Sequence, residues 1–193
     1  CIADRGVAVM LVEKEESKLE LLSEGHSPFY EPGLDDLLKR ATASGRLGFS
    51  RSVKDAVDGS EIIFINVGTP KHNGTVDLIQ VEAASVDVGR ALKRIENYAV
   101  VVVRSTVLPG TTRDFVAPIL DRYSGKRVGE DHGLAMQPEF MSEGSAVRDM
   151  LSPDRVVIGE YDARTGDFLE SFWREFYGDA TPPILRMNMA SAE

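Results

Sequence analysis

The chain has 193 residues, 42% of them hydrophobic and 27% charged, with a formal charge of −9. That apolar content supports one real core, and its recurrence along the whole chain excludes wholesale disorder. The acidity disfavours nonspecific binding to nucleic acid or an anionic membrane, although a local site of helix N-termini and one or two cations can still take an anionic ligand. The single cysteine, Cys1, rules out an internal disulfide and fits a reducing, cytoplasmic compartment. No apolar run approaches the roughly 20 residues of a bilayer span. The longest, Tyr98 to Val103, is strand-sized. No metal site is expected. The opening Cys1-Ile2-Ala3 reads as the middle of an element rather than a start.

Taken in order, the chain alternates strand-like and helix-like units. Val7 to Val12 is a continuous apolar run, as in a strand buried on both faces. Glu16 to Glu24 carries Leu19, Leu21 and Leu22 between charges and stops at Gly25. A second helix follows Pro32-Gly33, with Leu34, Leu37, Leu38 and Ala41 on one face. Leu47 to Phe49 is a short strand, and Ser52 caps a helix through Val57. Glu61 to Val67 is a buried strand, and Gly68 to Val76 reads as a loop from its Gly, Pro and Asn content. A helix from Leu78 to Arg94, a strand from Tyr98 to Val103 and a helix from Thr112 to Tyr123 come next. Short strands at 134–136, 155–158 and 184–186 surround a helix over 165–176, and a last helix begins near Ala190. This alternation predicts an α/β fold, a mostly parallel sheet over 7–159 with helices on both faces.

Ligands of such sheets sit beyond the C-terminal ends of the strands, so the loops after strands carry the information. Glu13, after the first visible strand, stands where a dinucleotide fold binds the adenosine ribose and selects NAD. It reads equally well as one solvated acid of the cluster Glu13-Lys14-Glu15-Glu16. Val67-Gly68-Thr69-Pro70 offers a close backbone approach, a hydroxyl and a stiff loop, yet alone it is an ordinary turn. Ser105, Thr106, Thr111 and Thr112 place four hydroxyls around Pro109-Gly110, just before a helix whose free N–H groups suit a phosphate or a developing anion. N-capping by Thr111 or Thr112 accounts for one of the four. Gln137 to Gly144 holds Glu139 and Glu143 beside Pro138 and Phe140. These two acids are either a base and a substrate contact or a solvated pair.

The order of these pieces is more specific than any one of them. Glu-Pro-Gly-Leu at 31–34, Val-Gly-Thr-Pro at 67–70, Ser-Thr-Val-x-Pro-Gly-Thr at 105–111, Pro-Glu-Phe at 138–140, Glu-Gly at 143–144 and Pro-x-Arg-Val-Val-Ile-Gly at 153–159 resemble, in register, the successive motifs of the UDP-glucose/GDP-mannose 6-dehydrogenase family. The resemblance runs through essentially the whole chain to Glu193. It implies a Rossmann-like domain that serves a two-step, NAD-dependent oxidation of a nucleotide sugar at C6, by way of a thiohemiacetal and a thioester on a cysteine.

Carried over residue by residue, the resemblance puts Glu13, Lys18, Gly68, Thr69, Pro70 and Ser105 at the cofactor. It puts Thr106 and Glu139 at the water that hydrolyses the thioester, and Met141, Ser142 and Glu143 along the nucleotide sugar. It implies a homodimer or higher homo-oligomer of the full-length protein, with residues 1–186 as the nucleotide-binding domain and 187–193 as the start of a linker helix. The family's first strand and glycine-rich turn are expected before Cys1, and its catalytic cysteine with lysine and asparagine or aspartate partners after Glu193. This chain alone is therefore not expected to complete the reaction. Gly45-Arg46-Leu47 and the Lys71-His72-Asn73-Gly74 turn lean toward the GDP-mannose branch, and Gln137 stands where the family more often has Asn. A Rossmann-like module that binds nucleotide without turnover is the alternative.

Overall fold

The computed structural model describes residues 1–72 and 74–193; Asn73, part of the turn expected at 71–74, lies outside the described residues. In chain order the elements are β1 (Val9–Val12), α1 (Glu16–Ser23), α2 (Leu34–Ala43), β2 (Leu47–Ser50), α3 (Val53–Val57), β3 (Ile62–Ile65), β4 (Lys71–His72), β5 (Thr75–Val76), α4 (Ile79–Leu92), β6 (Val100–Val103), α5 (Ala117–Ser124), β7 (Gly133–Met136), α6 (Ala146–Leu151), β8 (Val156–Glu160), α7 (Ala163–Tyr177), β9 (Ile184–Asn188) and α8 (Met189–Ala192). A π-helical turn, Thr112–Val116, leads into α5. The chain forms two compact units, one of Cys1–Ala56, Phe140–Asp154 and Phe176–Pro182, the other of Val57–Glu139, Arg155–Glu175 and Pro183–Glu193.

In the first unit β1 and β2 pair in parallel, Val9 opposite Leu47 through Val12 opposite Ser50. Between them α1 and α2 make the crossover that parallel strands require. α2 buries Leu37, Leu38 and Ala41, three of the four residues assigned to its inner face. Ser52 caps α3 as expected, its Oγ accepting the Asp55 N–H at 3.3 Å.

The second unit is built on a five-stranded sheet in the order β3-β6-β7-β8-β9. Every residue of β6 and β7 is buried, so both faces of the sheet are covered. Strand alternation shows by what. A Cβ on Gly133 would lie 2.6 Å from Thr165 Oγ1, so the face carrying Gly133 and its register partners Val100 and Ile62 looks toward α7. A Cβ on Gly159 would meet Ala192 Cβ at 2.6 Å and Met189 Cα at 2.9 Å, so the opposite face, with Met136, carries α8. α4 and α5 approach closely at Gly89, where a Cβ would lie 3.0 Å from Tyr123 Cβ. At the sheet's far edge Arg186 of β9 pairs with Glu160 of β8 and with Asp167 and Glu170 of α7. Gly166 leaves the room for that cluster.

The expected α/β class and mostly parallel pairing hold, with three differences. The pairing expected over 7–159 is divided between the β1-β2 pair and the five-stranded sheet. β8 runs antiparallel to β7, with Met136 opposite Gly159. Strand patterning reports burial, and burial is the same for either direction. The 68–76 loop contains a two-rung antiparallel ribbon of β4 and β5, too short for alternation to register.

His132 is 1% exposed, with Nδ1 3.4 Å from the Gly133 carbonyl oxygen and no partner for Nε2 among the described residues. Burial pushes its pKa below the ordinary histidine value, against smaller upward pulls from Gly133 and Asp121. The unfolded chain therefore takes up a proton near pH 6.5 that the folded chain refuses. This contribution to stability is complete above about pH 6.5 and is lost as the pH falls toward the lowered value. Thermal melts at pH 7.5, 6.5 and 5.5 should show a drop in Tm that His132→Leu reduces. Parallel slopes in the two proteins would refute the assignment.

Candidate functional site

β3, β6 and β7 run in parallel and end in register, Ile65 opposite Val103 and Val103 opposite Met136. Their following loops therefore leave the same end of the sheet, and two of them are laced together. Ser105 is 4% exposed; its hydroxyl donates to the Val67 carbonyl at 2.7 Å, and the same oxygen accepts the Val67 N–H at 3.0 Å. Thr69 Oγ1 donates to the Thr106 carbonyl at 2.7 Å. Both hydroxyls thus fasten the loop after β3 to the loop after β6. The Thr106 side chain and Gly68 and Pro70 are left exposed at the loop surface, and Glu139 follows β7 half-buried. Thr69, Ser105 and Thr106 come together directly, and Glu139 leaves from the same strand ends.

Gly68 has no backbone reason to be glycine, since it is not among the positive-φ residues, and no steric one. Among the described residues, a Cβ there would touch only the Gln80 side chain, at an ordinary 3.5 Å.

Further along the loop after β6, the expected capping is corrected. Thr111 Oγ1 donates to the Leu108 carbonyl at 2.6 Å, and Thr112 is buried with its hydroxyl unpartnered among the described residues. The helix-start N–H groups of Gly110 and Thr112 are instead taken by the Glu193 carboxylate, at 2.6 Å from Thr112. The anion expected at this N-terminus is thus supplied by the protein itself. A partner 81 residues away leaves no local sequence signal.

In the other unit, Glu13 Oε1 accepts the Glu15 N–H at 2.9 Å, at the start of α1. Lys18 lies 2.6 Å from Glu15 Oε2, and that carboxylate raises the Lys18 pKa, chiefly through its hydrogen bond. Met141 is half-buried, and Ser142 and Glu143 are exposed. Their segment is held by two carboxylates. Asp149 accepts the Ser142 N–H at 3.0 Å and the Ser145 hydroxyl at 2.8 Å. These contacts, the Ser142 N–H first among them, hold its pKa below the ordinary carboxylate value. Glu31, of the Glu-Pro-Gly-Leu motif, accepts the Gly144 N–H at 2.8 Å. Sequence reasoning singled out both motifs without assigning Glu31 a role.

The departure at Gln137 has a partner. Its side-chain oxygen accepts the Trp173 indole N–H at 3.2 Å, within the core and next to the β7 loop.

A mostly parallel sheet covered on both faces, with hydroxyl-bearing loops laced at its C-terminal strand ends, defines a Rossmann-type α/β protein. Within that class the chain belongs to the UDP-glucose/GDP-mannose dehydrogenase family, matching the family's NAD binding domain over residues 1–177. It is 42% identical over its full length to GDP-mannose 6-dehydrogenase of Pseudomonas aeruginosa, of which it covers 44%. It is 35% identical to a UDP-glucose 6-dehydrogenase of Haloferax volcanii, covering 100% of this chain and 45% of that one. Its fold matches a crystal structure of a ternary complex of GDP-mannose dehydrogenase from Pseudomonas aeruginosa, with a TM-score of 0.94 and 40% identity over 100% of this chain and 43% of that one. It also matches a UDP-glucose dehydrogenase from Pyrobaculum islandicum, with a TM-score of 0.89 and 39% identity over 99% of this chain and 43% of that one. The chain thus spans under half the length of these relatives. Among the described residues no helix is long and apolar enough to cross a membrane.

Proposed function

We infer that this chain supplies the cofactor-binding half of an NAD-dependent nucleotide-sugar 6-dehydrogenase, which oxidises the C6 alcohol to a carboxylate. The observation that carries the reading is the lacing of the loops after β3 and β6 by Ser105 and Thr69, with Glu139 leaving the adjacent strand end. The residues present fit NAD. Neither backbone angle nor packing among the described residues asks for glycine at 68, which is the condition expected where a ligand comes against the backbone. NAD, when bound, accepts the hydride.

The chain's own residues do the rest. Ser105 and Thr69 fix the loops that, with Gly68 and Pro70, border the cofactor; Glu13 and Lys18 serve the ribose end. Met141, Ser142 and Glu143 line the nucleotide sugar, and Thr106 and Glu139 hold and deprotonate the hydrolytic water. Residues 1–186 make up the nucleotide-binding domain, and 187–193 finish β9 and enter α8, the start of the linker helix. The reading extends to a cytoplasmic homo-oligomer. The higher identity to GDP-mannose than to UDP-glucose relatives favours GDP-mannose. The test is full-length protein with NAD and either sugar nucleotide, where two NADH should form per uronate. Nucleotide binding with no NADH from any nucleotide sugar would replace this reading with that of a binding module.

Cofactor choice follows from Glu13. A carboxylate accepts bonds from a ribose diol and repels a 2′-phosphate. Lys18, a cation able to offset that repulsion, is held by Glu15. Steady-state kinetics of the full-length protein should give the higher kcat/KM with NAD, and Glu13→Ala should narrow the gap. A higher kcat/KM with NADP in the unaltered protein would overturn the assignment.

A further inference from the structure

Glu31 is an acid 7% exposed, in the turn between α1 and α2. A carboxylate is rarely buried without a task, because leaving water is costly unless its oxygens are matched by donors. The match here is one backbone N–H, that of Gly144, 113 residues away. The second oxygen, Oε1, is buried with no hydrogen-bond partner among the described residues. The local chain is shaped to deliver it: the Leu34 N–H closes a turn onto the Glu31 carbonyl at 3.1 Å, and Gly33 stands at φ +79°.

The receiving segment is just as specific. Gly144 stands at φ +82°, and a Cβ there would meet nothing within 4 Å. Its glycine therefore answers to backbone angle rather than to crowding. One residue on, the Ser145 N–H closes a turn onto the Ser142 carbonyl at 3.0 Å. Asp149 holds both ends of this turn, at the Ser142 N–H and the Ser145 hydroxyl, and Glu31 holds the Gly144 N–H between them. The two carboxylates thus fix one turn of an otherwise exposed stretch. An exposed turn of Ser, Glu and Gly has little packing to hold it in one shape, so these bonds decide its conformation.

We propose that Glu31 is a positioning residue for nucleotide-sugar binding: its buried carboxylate, through the Gly144 N–H, sets the conformation of Met141–Gly144. The proposal rests on the reading above that this segment lines the nucleotide sugar. Pre-forming it removes an ordering cost that binding would otherwise meet. Glu31 acts on substrate affinity and not on hydride transfer.

The test uses full-length enzyme and its nucleotide sugar. Glu31→Ala should raise the sugar-nucleotide KM by about 10-fold or more, the scale of one lost charge-assisted hydrogen bond, and leave the NAD KM within about 2-fold. Glu31→Gln, which keeps an acceptor for Gly144, should recover most of that loss. Asp149→Ala, which removes the other carboxylate on the same turn, should show the same sugar-specific rise, and it decides the matter if Glu31→Ala does not fold. Hydrogen–deuterium exchange of the peptide spanning 140–146 should speed up in both alanine variants. A structural role alone predicts a lower Tm with the sugar KM unchanged, and that result overturns the proposal. Wild-type protein that oxidises no nucleotide sugar fails the underlying reading and the proposal with it. Active wild type with a KM indifferent to both alanine variants fails the proposal alone.

Discussion

Glu139→Gln in the full-length protein is expected to slow the second half of the reaction by roughly 10²–10⁴-fold, the usual range for losing a general base. Hydrolysis of a thioester needs a water near the acyl carbon and a group that takes its proton. Glu139 stands three residues past Met136, the end of β7, half-buried between Pro138 and Phe140. The Thr106 hydroxyl, after the adjacent β6, can hold a water by a hydrogen bond but is too weak a base to deprotonate it at neutral pH. Thr106 is also tied at its backbone carbonyl to the Thr69 hydroxyl, which anchors the loop that presents its side chain. Glutamine keeps the size and one acceptor oxygen and loses the charge and the base. Nucleotide-sugar affinity should therefore change little, while an acyl-enzyme accumulates and adds mass to the intact protein. If the variant instead binds the sugar weakly and no adduct builds up, Glu139 is a structural tie and the role assigned to it is wrong.

The largest expected loss of stability is at Trp173. It is 1% exposed, packs 4.9 Å from the Phe172 ring and 6.4 Å from the Phe64 ring, and donates its indole N–H to Gln137. Trp173→Ala removes the largest side chain of the core, leaves a cavity between α7 and β3, and strands the buried Gln137 oxygen. Losses of this kind cost about 3–5 kcal/mol. Urea denaturation should show the midpoint fall by the corresponding amount with little change in slope. Trp173→Phe, which keeps most of the volume and gives up the hydrogen bond, should cost clearly less. A drop below about 1 kcal/mol in the alanine variant would mean that the core closes over the gap.

Much of the fold could be read from residue patterning because its main elements have strong periods. The four buried valines of β6 and the Leu37-Leu38-Ala41 stripe of α2 each declare their environment. The common origin of the candidate site loops is legible for a related reason: parallel strands send their C-terminal ends to one side, so strand order alone groups the loops of Thr69, Ser105 and Glu139. What could not be read is the work of individual hydroxyls and carboxylates. The resemblance puts Ser105 at the cofactor, and spacing does not announce the two bonds that its hydroxyl makes to the Val67 backbone. The helix start at Gly110–Thr112 was expected to await an anion and holds Glu193. Glu31 and Gly144 lie in motifs noticed separately, and nothing in the spacing says that they touch. α6 escaped because six residues, Ala146–Leu151, span too few turns to show a period.

The carboxylates that hold loop amides change the meaning of the chain's acidity. Besides Glu31, Asp149 and Glu193, Asp35 accepts the Ser27 N–H, Asp121 the Val128 N–H and Asp162 the Thr165 N–H. Part of the −9 charge is therefore scaffolding and not a solvated coat. Redesign of the surface toward neutrality has two kinds of acid to choose from. Exchanging Glu24 for glutamine alters only the electric field around the protein, whereas Asp121→Ala releases the turn that leads from α5 into β7. Charge maps of the two exchanges would look alike, and expression yields would not.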